Sequence, residues 1–208
     1  GDMTVRASDE LPATLPTTAE YPATTGGVAF MNGVTVGAGT SKSLTYFRWD
    51  SDKGRWIESA AYGDDTGLTN MPVRVRWDGG GWAFGMPEYL PRPAGDAESN
   101  PDFNFLKPAG ITGMTTFQGR LVILSNEYAC MSASNDPLRW YKRSAAALAD
   151  DDPVEVAAQG TLTAPYVYGV TYNKDLVLFS RRYQAVIPGG GVITPRSEER
   201  RVGKECME

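Results

Sequence analysis

The stretch Leu121-Val122-Ile123-Leu124-Ser125, with Tyr128 three places further on, has a counterpart 55 residues later (121 to 176). The counterpart reads Leu176-Val177-Leu178-Phe179-Ser180 and is followed by Tyr183. Each copy reads as a strand, a two-residue turn and a second strand, and a short continuous apolar run suits a strand covered on both faces. Periods near 50 residues with several strands per unit are typical of β-propeller blades. The pattern therefore predicts two related hairpins that belong to blade-like sheets.

Strand-like patterns extend outward from these two copies. Val73–Trp77 alternates apolar and charged residues, which is the period-2 signature of a half-buried strand. Leu44–Trp49 and Tyr166–Tyr172 are rich in aromatic and β-branched residues, which are enriched in strands. Helix is scarce, and Ser144–Leu148 is the stretch that could form one or two helical turns. We therefore predict an all-β chain of short antiparallel hairpins.

Two segments each place a tryptophan on both arms of a predicted hairpin. Arg48-Trp49-Asp50 leads to Arg55-Trp56, and Arg76-Trp77-Asp78 leads to Trp82, in both cases through a turn rich in Asp and Gly. Hairpin tryptophans supply cross-strand packing. Exposed tryptophans lining one groove would instead favour a module that binds carbohydrate or a host receptor.

The chain divides by composition into four predicted segments. Residues 1–86 form a β-hairpin domain, residues 87–110 a linker with five prolines, and residues 111–195 two propeller-type blades that are incomplete. Residues 196–208, RSEERRVGKECME, resemble a translated sequencing adapter, and we expect them not to be native. We accordingly expect the chain to be a fragment of a longer protein, with Cys130 as its one native cysteine.

Composition excludes several classes of function. The 208 residues include no histidine, which removes histidine-based triads and histidine metal ligands. The 20 Lys and Arg residues against 25 Asp and Glu residues give a net charge of −5, which argues against a protein that grips nucleic-acid phosphates. No apolar run approaches the roughly 18 residues of a membrane span, so we expect no membrane anchor.

Three polar segments resemble binding motifs but lack essential residues. Gly37–Ser43 has Ser41 where a phosphate loop needs a glycine directly before the lysine. Asp50–Gly54 begins like a calcium loop, but the glycine falls one place early and the twelfth position is Ala61. Asp150-Asp151-Asp152 could supply metal ligands, although consecutive carboxylates converge poorly and a turn before Pro153 is more natural.

The remaining reactive side chains give weaker signals. Cys130 lies in an apolar run beside Met131, which favours a buried thiol. A hydrolase using Asp136, Asp151 or Asp175 would need two of these carboxylates to converge in one pocket. We therefore predict no catalytic, cofactor-binding or metal-binding residues, and no enzyme activity.

Several motifs follow one another in a characteristic order and spacing over a long span: Gln118-Gly119-Arg120-Leu121, Met131-Ser132-Ala133-Ser134, Asn135-Asp136-Pro137, Trp140-Tyr141, Asp150–Val156 and Asp175–Ser180 with Gln184-Ala185-Val186. In this order and spacing, residues Met71 to Pro195 resemble the tail tubular protein B family, the tail nozzle proteins of short-tailed bacteriophages. Upstream, Tyr46–Trp49, Gly54–Glu58 and Met71-Pro72 are also similar to the family.

The resemblance implies an assembly role without catalysis. Its fold would be a β-propeller-like platform with an inserted β-domain, in a homo-oligomeric ring, a hexamer in the family, at the distal end of the tail. The implied partners are the adaptor ring protein and tail fibres, with DNA passing through the channel without specific binding. The implied location is the virion tail, after assembly in the host cytoplasm. From the net charge we add that acidic side chains should face the channel, because like charges repel DNA.

Overall fold

The computed structural model describes residues 30–31, 46–50, 52–53, 55–61, 64, 68, 71–108, 110–145, 147–158 and 164–195. Within these residues the chain consists of antiparallel sheets joined by turns, which confirms the all-β prediction. The strands are β1 (Phe30–Met31), β2 (Tyr46–Asp50), β3 (Arg55–Ser59), β4 (Arg74–Trp77), β5 (Trp82–Gly85), β6 (Gly113–Phe117), β7 (Arg120–Ser125), β8 (Tyr128–Met131), β9 (Val154–Ala157), β10 (Tyr166–Tyr172), β11 (Asp175–Ser180) and β12 (Gln184–Ile187), with a 3₁₀ turn at Asn104–Leu106.

The residues cluster into two compact units. Unit 1 comprises residues 1–66, 92–101 and 142–147, and unit 2 comprises residues 67–91, 102–141 and 148–208. The segment predicted as a linker is divided between them and contributes buried side chains to both, among them Ala94 and Phe105. The predicted boundaries at 86, 110 and 195 stay predictions.

Unit 1 contains the three-stranded sheet β1–β2–β3. Trp49 lies opposite Trp56 across the β2–β3 ladder, as predicted for the first tryptophan hairpin. Asp50 closes the turn, since its Oδ1 accepts hydrogen bonds from the backbone N–H groups of Asp52 and Lys53, each at 3.1 Å. The segment that begins like a calcium loop is therefore a hairpin turn stabilised by its own aspartate.

Unit 2 contains a four-stranded sheet in the order β6–β7–β8–β9 and a three-stranded sheet in the order β10–β11–β12. The two apolar runs of the 55-residue echo form β7 and β11, and each run leads into a hairpin partner, β8 or β12. After β11, Ser180 Oγ accepts a hydrogen bond from the N–H of Tyr183 at 2.9 Å. The echo therefore corresponds to two antiparallel hairpins. The predicted two-residue turn is confirmed between β7 and β8 but is wrong between β11 and β12, where three residues, 181–183, separate the strands.

One apolar cluster joins the two sheets of unit 2. It includes Val122 and Leu124 of β7 and Leu176 and Leu178 of β11, all fully or almost fully buried. Burial of each such side chain contributes roughly 1.5–3 kcal/mol. Thr112 Oγ1 adds a hydrogen bond of 2.6 Å to the carbonyl of Tyr166 in β10. The two sheets thus share a core and a polar link.

A second apolar cluster covers the other face of β7. It contains Ile123, Cys130, Trp140, Phe103 and Phe105. β7 is therefore covered on both faces, as its sequence predicts. The same prediction is wrong for Leu176–Phe179 among the described residues, because Val177 and Phe179 alternate to the face away from the core and stay partly exposed.

The helical turns predicted at Ser144–Leu148 are also wrong for the described residues of that stretch. Ser144 Oγ accepts a hydrogen bond from the N–H of Ala147 at 3.0 Å, and the N–H of Ala145 donates to Glu58 Oε1 at 2.7 Å. The described residues 144, 145, 147 and 148 are not helical, and the bond from Ala147 to Ser144 closes an isolated turn.

Candidate assembly surface

β4 and β5 form a hairpin whose large apolar side chains face solvent. The ladder places Trp77 opposite Trp82 and Val75 opposite Phe84. Because side chains alternate along a strand, these four share one face, and the residues flanking the strands extend it. We call residues 73–86 the arm and this surface its apolar face, with these exposed fractions: Val73 63%, Val75 47%, Trp77 59%, Trp82 66%, Phe84 73% and Met86 51%.

The arm keeps its shape through its turn and its ring contacts. Asp78 Oδ1 accepts hydrogen bonds from the N–H groups of Gly80 and Gly81, each at 3.1 Å. The Trp77 and Trp82 rings meet edge to face, with centroids 5.6 Å apart. Among the described residues no further strand pairs with β4 or β5. The half-buried strand predicted at Val73–Trp77 is therefore wrong, because all of β4 is exposed and no described layer covers its apolar side.

A second apolar surface lies on the outer side of the β10–β12 sheet. Val170, Val177 and Val186 stand in register across its three strands, and Tyr168 and Tyr172 lie two places either side of Val170. Tyr168 is 59% exposed and Tyr172 is 68% exposed. We call this surface the sheet face, defined by Tyr168, Val170, Tyr172, Val177, Phe179 and Val186.

The motif Gln118-Gly119-Arg120, by contrast, is anchored inside the chain. The Gln118 side-chain amide donates to the carbonyl of Gly191 and accepts from the N–H of Ile193, each at 3.0 Å. Gly119 has a φ of +71°, and a Cβ there would lie 2.5 Å from Asn135 Oδ1. This part of the motif therefore fixes the loop after β12, and the positive φ favours glycine at position 119.

Arg120 completes this anchor although it is only 2% exposed. Its guanidinium donates to the carbonyls of Ser132 and Asp152, each at 2.8 Å, and to those of Asp150 and Ile193, at 3.1 and 3.0 Å. A buried charge with four acceptors is paired well enough to be tolerated in a low-dielectric interior. One side chain thus ties together three separate segments of unit 2.

The triple aspartate belongs to the same buried network. Arg139 Nη1 lies 2.8 Å from Asp152 Oδ1, and its Nη2 lies 2.8 Å from Asp151 Oδ2. The other oxygen of Asp152 accepts a hydrogen bond from the N–H of Ala149 at 2.9 Å. Within the described residues no group of three His, Cys, Asp or Glu residues could hold a metal ion. Asp151 and Asp152 are here partners of an arginine. We call Gln118, Gly119, Arg120, Asn135, Arg139 and Asp152 the junction.

The carboxylates considered for a hydrolase stabilise separate turns. Asp136 Oδ1 accepts from the N–H of Leu138 at 3.2 Å, and Asp175 Oδ1 accepts from the N–H of Gly189 at 2.8 Å. Asp151 pairs with Arg139. A surface groove of about 610 Å³ lies beside the junction, and none of these three aspartates lines it.

Cys130 is fully buried, as its sequence context predicts. Its Sγ lies 3.1 Å from Glu155 Oε1. Burial, followed by the negative charge of Glu155, raises the pKa of the thiol well above its ordinary value. The thiol therefore stays protonated and unreactive at neutral pH.

The tryptophans whose side chains the structure describes fall into two environments. Trp140 is fully buried, donates from Nε1 to the carbonyl of Pro137 at 3.0 Å and meets Phe105 edge to face. Trp77 and Trp82 lie on the open face of the arm. The side chains of Trp49 and Trp56, the loop Gly37–Ser43 and the predicted adapter tail 196–208 lie outside the described residues.

These features define a β-sheet scaffold protein, in which buried arginines and an aspartate join separate segments and two open faces are apolar. The profile described as bacteriophage nozzle protein matches residues 27–202. The chain belongs to this family and is a structural component of a bacteriophage tail. The tail tubular protein gp12 of Escherichia phage T7 is 30% identical over 165 residues, which cover 78% of this chain and 21% of the relative. The chain thus spans about a fifth of the length of that curated relative. In the described residues, no helix is long and apolar enough to cross a membrane.

Proposed function

We propose that the chain is part of a nozzle subunit that forms a homo-oligomeric ring, a hexamer, at the distal end of the tail. The ring joins the upstream adaptor ring protein, contacts tail fibres and lets DNA pass, and it performs no catalysis. The observation that carries this proposal is the family match over residues 27–202. The use of Asp136, Asp151 and Asp175 in separate turns supports a scaffold role.

We also infer that the β6–β9 and β10–β12 sheets are successive blades of a propeller-like platform that carries an inserted β-domain. Support comes from the shared core between the sheets and from the 55-residue spacing of their central strands (121 to 176). Propeller blades are short antiparallel sheets that pack face to face around a channel.

The ring passes DNA without binding it specifically, and acidic side chains face its channel. The net charge of −5 supports this proposal, because a lumen of the same sign as the phosphates repels the duplex. A channel lined mainly by lysine and arginine would contradict it.

The test is to locate the protein in phage particles. Antibodies raised against this chain, with gold labels read by electron microscopy, should mark the distal end of the tail. The protein in its natural length should also form a closed ring of defined mass that binds the adaptor ring. Label on the capsid alone, or a subunit that stays monomeric with the adaptor present, would overturn the proposal.

A carbohydrate- or receptor-binding module is the second candidate, because Trp77 and Trp82 are exposed. Sugars stack on the flat faces of aromatic rings, but these rings meet at 73° and form no common platform. Binding of host-surface glycans that is abolished by Trp77→Ala would favour this alternative.

A further inference from the structure

We propose that the apolar face of the arm packs on the sheet face of a second copy of this chain. The inference rests on the proposed function, because it names the surfaces through which copies of a ring-forming subunit meet. Each partner contributes a different surface, so the contact is heterologous.

The size of the arm supports a protein–protein contact. Its six large apolar side chains are between 47% and 73% exposed. With ordinary side-chain areas this face amounts to roughly 700 Å², above the few hundred Å² usual on a monomer and close to one partner's share of a standard interface. The arm face is therefore large enough to supply most of one side of a stable contact.

The shape of the arm favours a flat protein surface over a lipid bilayer. Its apolar side chains run along the whole hairpin from Val73 to Trp77 and back from Trp82 to Met86. The tip carries the carboxylate of Asp78, which is exposed. Inserting the tip into a bilayer would bury this charge at considerable cost. Packing the side of the arm on another sheet buries the apolar residues and leaves Asp78 at the rim.

The sheet face offers a matching surface. Tyr168, Val170 and Tyr172 of β10 span about 13 Å at the usual strand rise of 3.3 Å per residue, which equals the span from Val73 to Trp77 on the arm. Like the arm, this face is covered by no layer of the described chain. Two flat apolar faces of equal length can interdigitate as in sheet packing.

The charges around the two faces are complementary. Exposed basic residues flank the sheet face at both ends, Lys174 in one turn and Arg181 and Arg182 in the other. With its tip at the Arg181 and Arg182 end, the arm brings the Asp78 carboxylate near two positive charges, whereas at the other end Asp175 shares the sheet face beside Lys174. The arm's own arginines, Arg74 and Arg76, alternate to the opposite face and point away from the contact. The direction that places Asp78 beside Arg181 and Arg182 therefore joins opposite charges across the contact, and such complementarity favours the correct partner and orientation.

Two different faces on one chain also give the right symmetry. A contact that joins unlike surfaces leaves one free arm and one free sheet face at the ends of each assembly, and such a contact closes into a ring when the rotation permits. Arm-to-arm pairing would instead stop at a dimer.

The experiment uses the chain with Cys206→Ser, so that buried Cys130 is its remaining cysteine. Phe84→Cys and Val170→Cys are introduced in separate copies that carry tags of different size, and the copies are mixed and oxidised. We expect a disulfide between unlike copies, formed about tenfold faster than between like copies. Arg76→Cys on the opposite face of the arm is the matched control and should cross-link to Val170→Cys poorly.

A second measurement distinguishes a loss of self-association from misfolding. Trp82→Ser and Phe84→Ser should weaken self-association by at least about tenfold in sedimentation equilibrium, with unchanged circular dichroism. Predominant cross-linking of Phe84→Cys to itself overturns the proposal. So does a chain that stays monomeric, whether or not it floats with phosphatidylcholine–phosphatidylglycerol vesicles. Tail labelling reports separately on the proposed function: label at the tail without the cross-link rejects this interface alone, and the cross-link without tail label rejects the ring at the tail alone.

Discussion

The arm and the junction use similar residues in opposite ways. In the arm, Trp77 and Trp82 are exposed and arginines alternate on the other open face. In the junction, Arg120 and Arg139 are buried and their guanidinium groups meet carbonyls or carboxylates of the same unit.

The difference shows whether contacts within the chain or contacts with another surface stabilise each region. The charged groups of the junction have their partners within one chain, because a buried charge that lost its partner would strongly destabilise the folded state. The apolar side chains of the arm are exposed to water, so they can stabilise the protein only when another surface covers them. Substitutions should therefore reduce folding stability at the junction and its adjoining core, and reduce association at the arm.

The largest contrast is expected between two tryptophans. Trp140→Ala removes a fully buried ring that packs on Phe105, and should lower the free energy of unfolding by about 3–5 kcal/mol. Trp82→Ala removes an exposed ring and should change it by less than about 0.5 kcal/mol. Urea denaturation of both variants measures the difference. Equal losses would show that the arm is packed within its own chain.

The next contrast lies between neighbouring aspartates. Asp152→Ala leaves Arg139 buried with one of its two carboxylate partners removed, and should cost about 3 kcal/mol. Asp150→Ala changes an exposed side chain, since Asp150 serves the junction through its carbonyl, and should cost less than about 0.5 kcal/mol. Thermal unfolding of the two variants side by side is the measurement. A larger loss for Asp150→Ala would contradict the assignment of the buried partner.

Local sequence signals predicted the elements of both regions. Alternation and Asp/Gly turns identified β2–β3 and β4–β5, and the apolar run Leu121–Leu124 identified β7 as covered on both faces. Turn residues and strand periodicity act over a few positions, so one sequence suffices to read them.

Whether a strand face is covered depends on residues far along the chain, and local sequence patterns did not predict it. Alternation at Val73–Trp77 is the same whether the apolar side meets a core or solvent, so the open arm could not be told from a half-buried strand. The motif Gln118-Gly119-Arg120 is visible in the sequence, but its role depends on the hydrogen bond from the N–H of Ile193 to the Gln118 side chain, 75 residues away. The pairing of Arg139 with the triple aspartate likewise has no local pattern.

A glycine pair sharpens the description of the junction. Gly119 and Gly110 have nearly equal φ values, +71° and +70°, so an alanine at either position incurs the same backbone strain. At Gly119 the new Cβ also meets Asn135 Oδ1 at 2.5 Å, whereas at Gly110 nothing lies within 4 Å. Gly119→Ala should therefore be less stable than Gly110→Ala by about 1–2 kcal/mol, measured by urea denaturation. Equal values would mean that Asn135 moves aside freely and that the junction is less rigid than its hydrogen bonds imply.

A surface pair in unit 1 should give the smallest effect. Tyr46 Oη donates to Asp96 Oδ2 at 2.6 Å, and Ser99 N–H donates to Asp96 Oδ1 at 2.9 Å. Burial by itself would raise the pKa of Asp96, but the hydrogen bonds from Tyr46 and Ser99 lower it to about 2. Burial, followed by the bond to Asp96, raises the pKa of Tyr46 to about 12.

The signs of these two shifts define a pH window for stability. Because the folded pKa of Asp96 lies below its unfolded value of 3.8, its contribution is present above about pH 4 and is lost as the pH falls towards 2. Because the folded pKa of Tyr46 lies above its unfolded value of 10.0, its contribution is present below pH 10 and is lost as the pH rises towards 12. Water screens this pair, so we expect less than about 1 kcal/mol at either edge. Urea denaturation across the pH range should show that Tyr46→Phe reduces both the alkaline loss and the acid loss. An alkaline edge that is unchanged in Tyr46→Phe would assign it to another group.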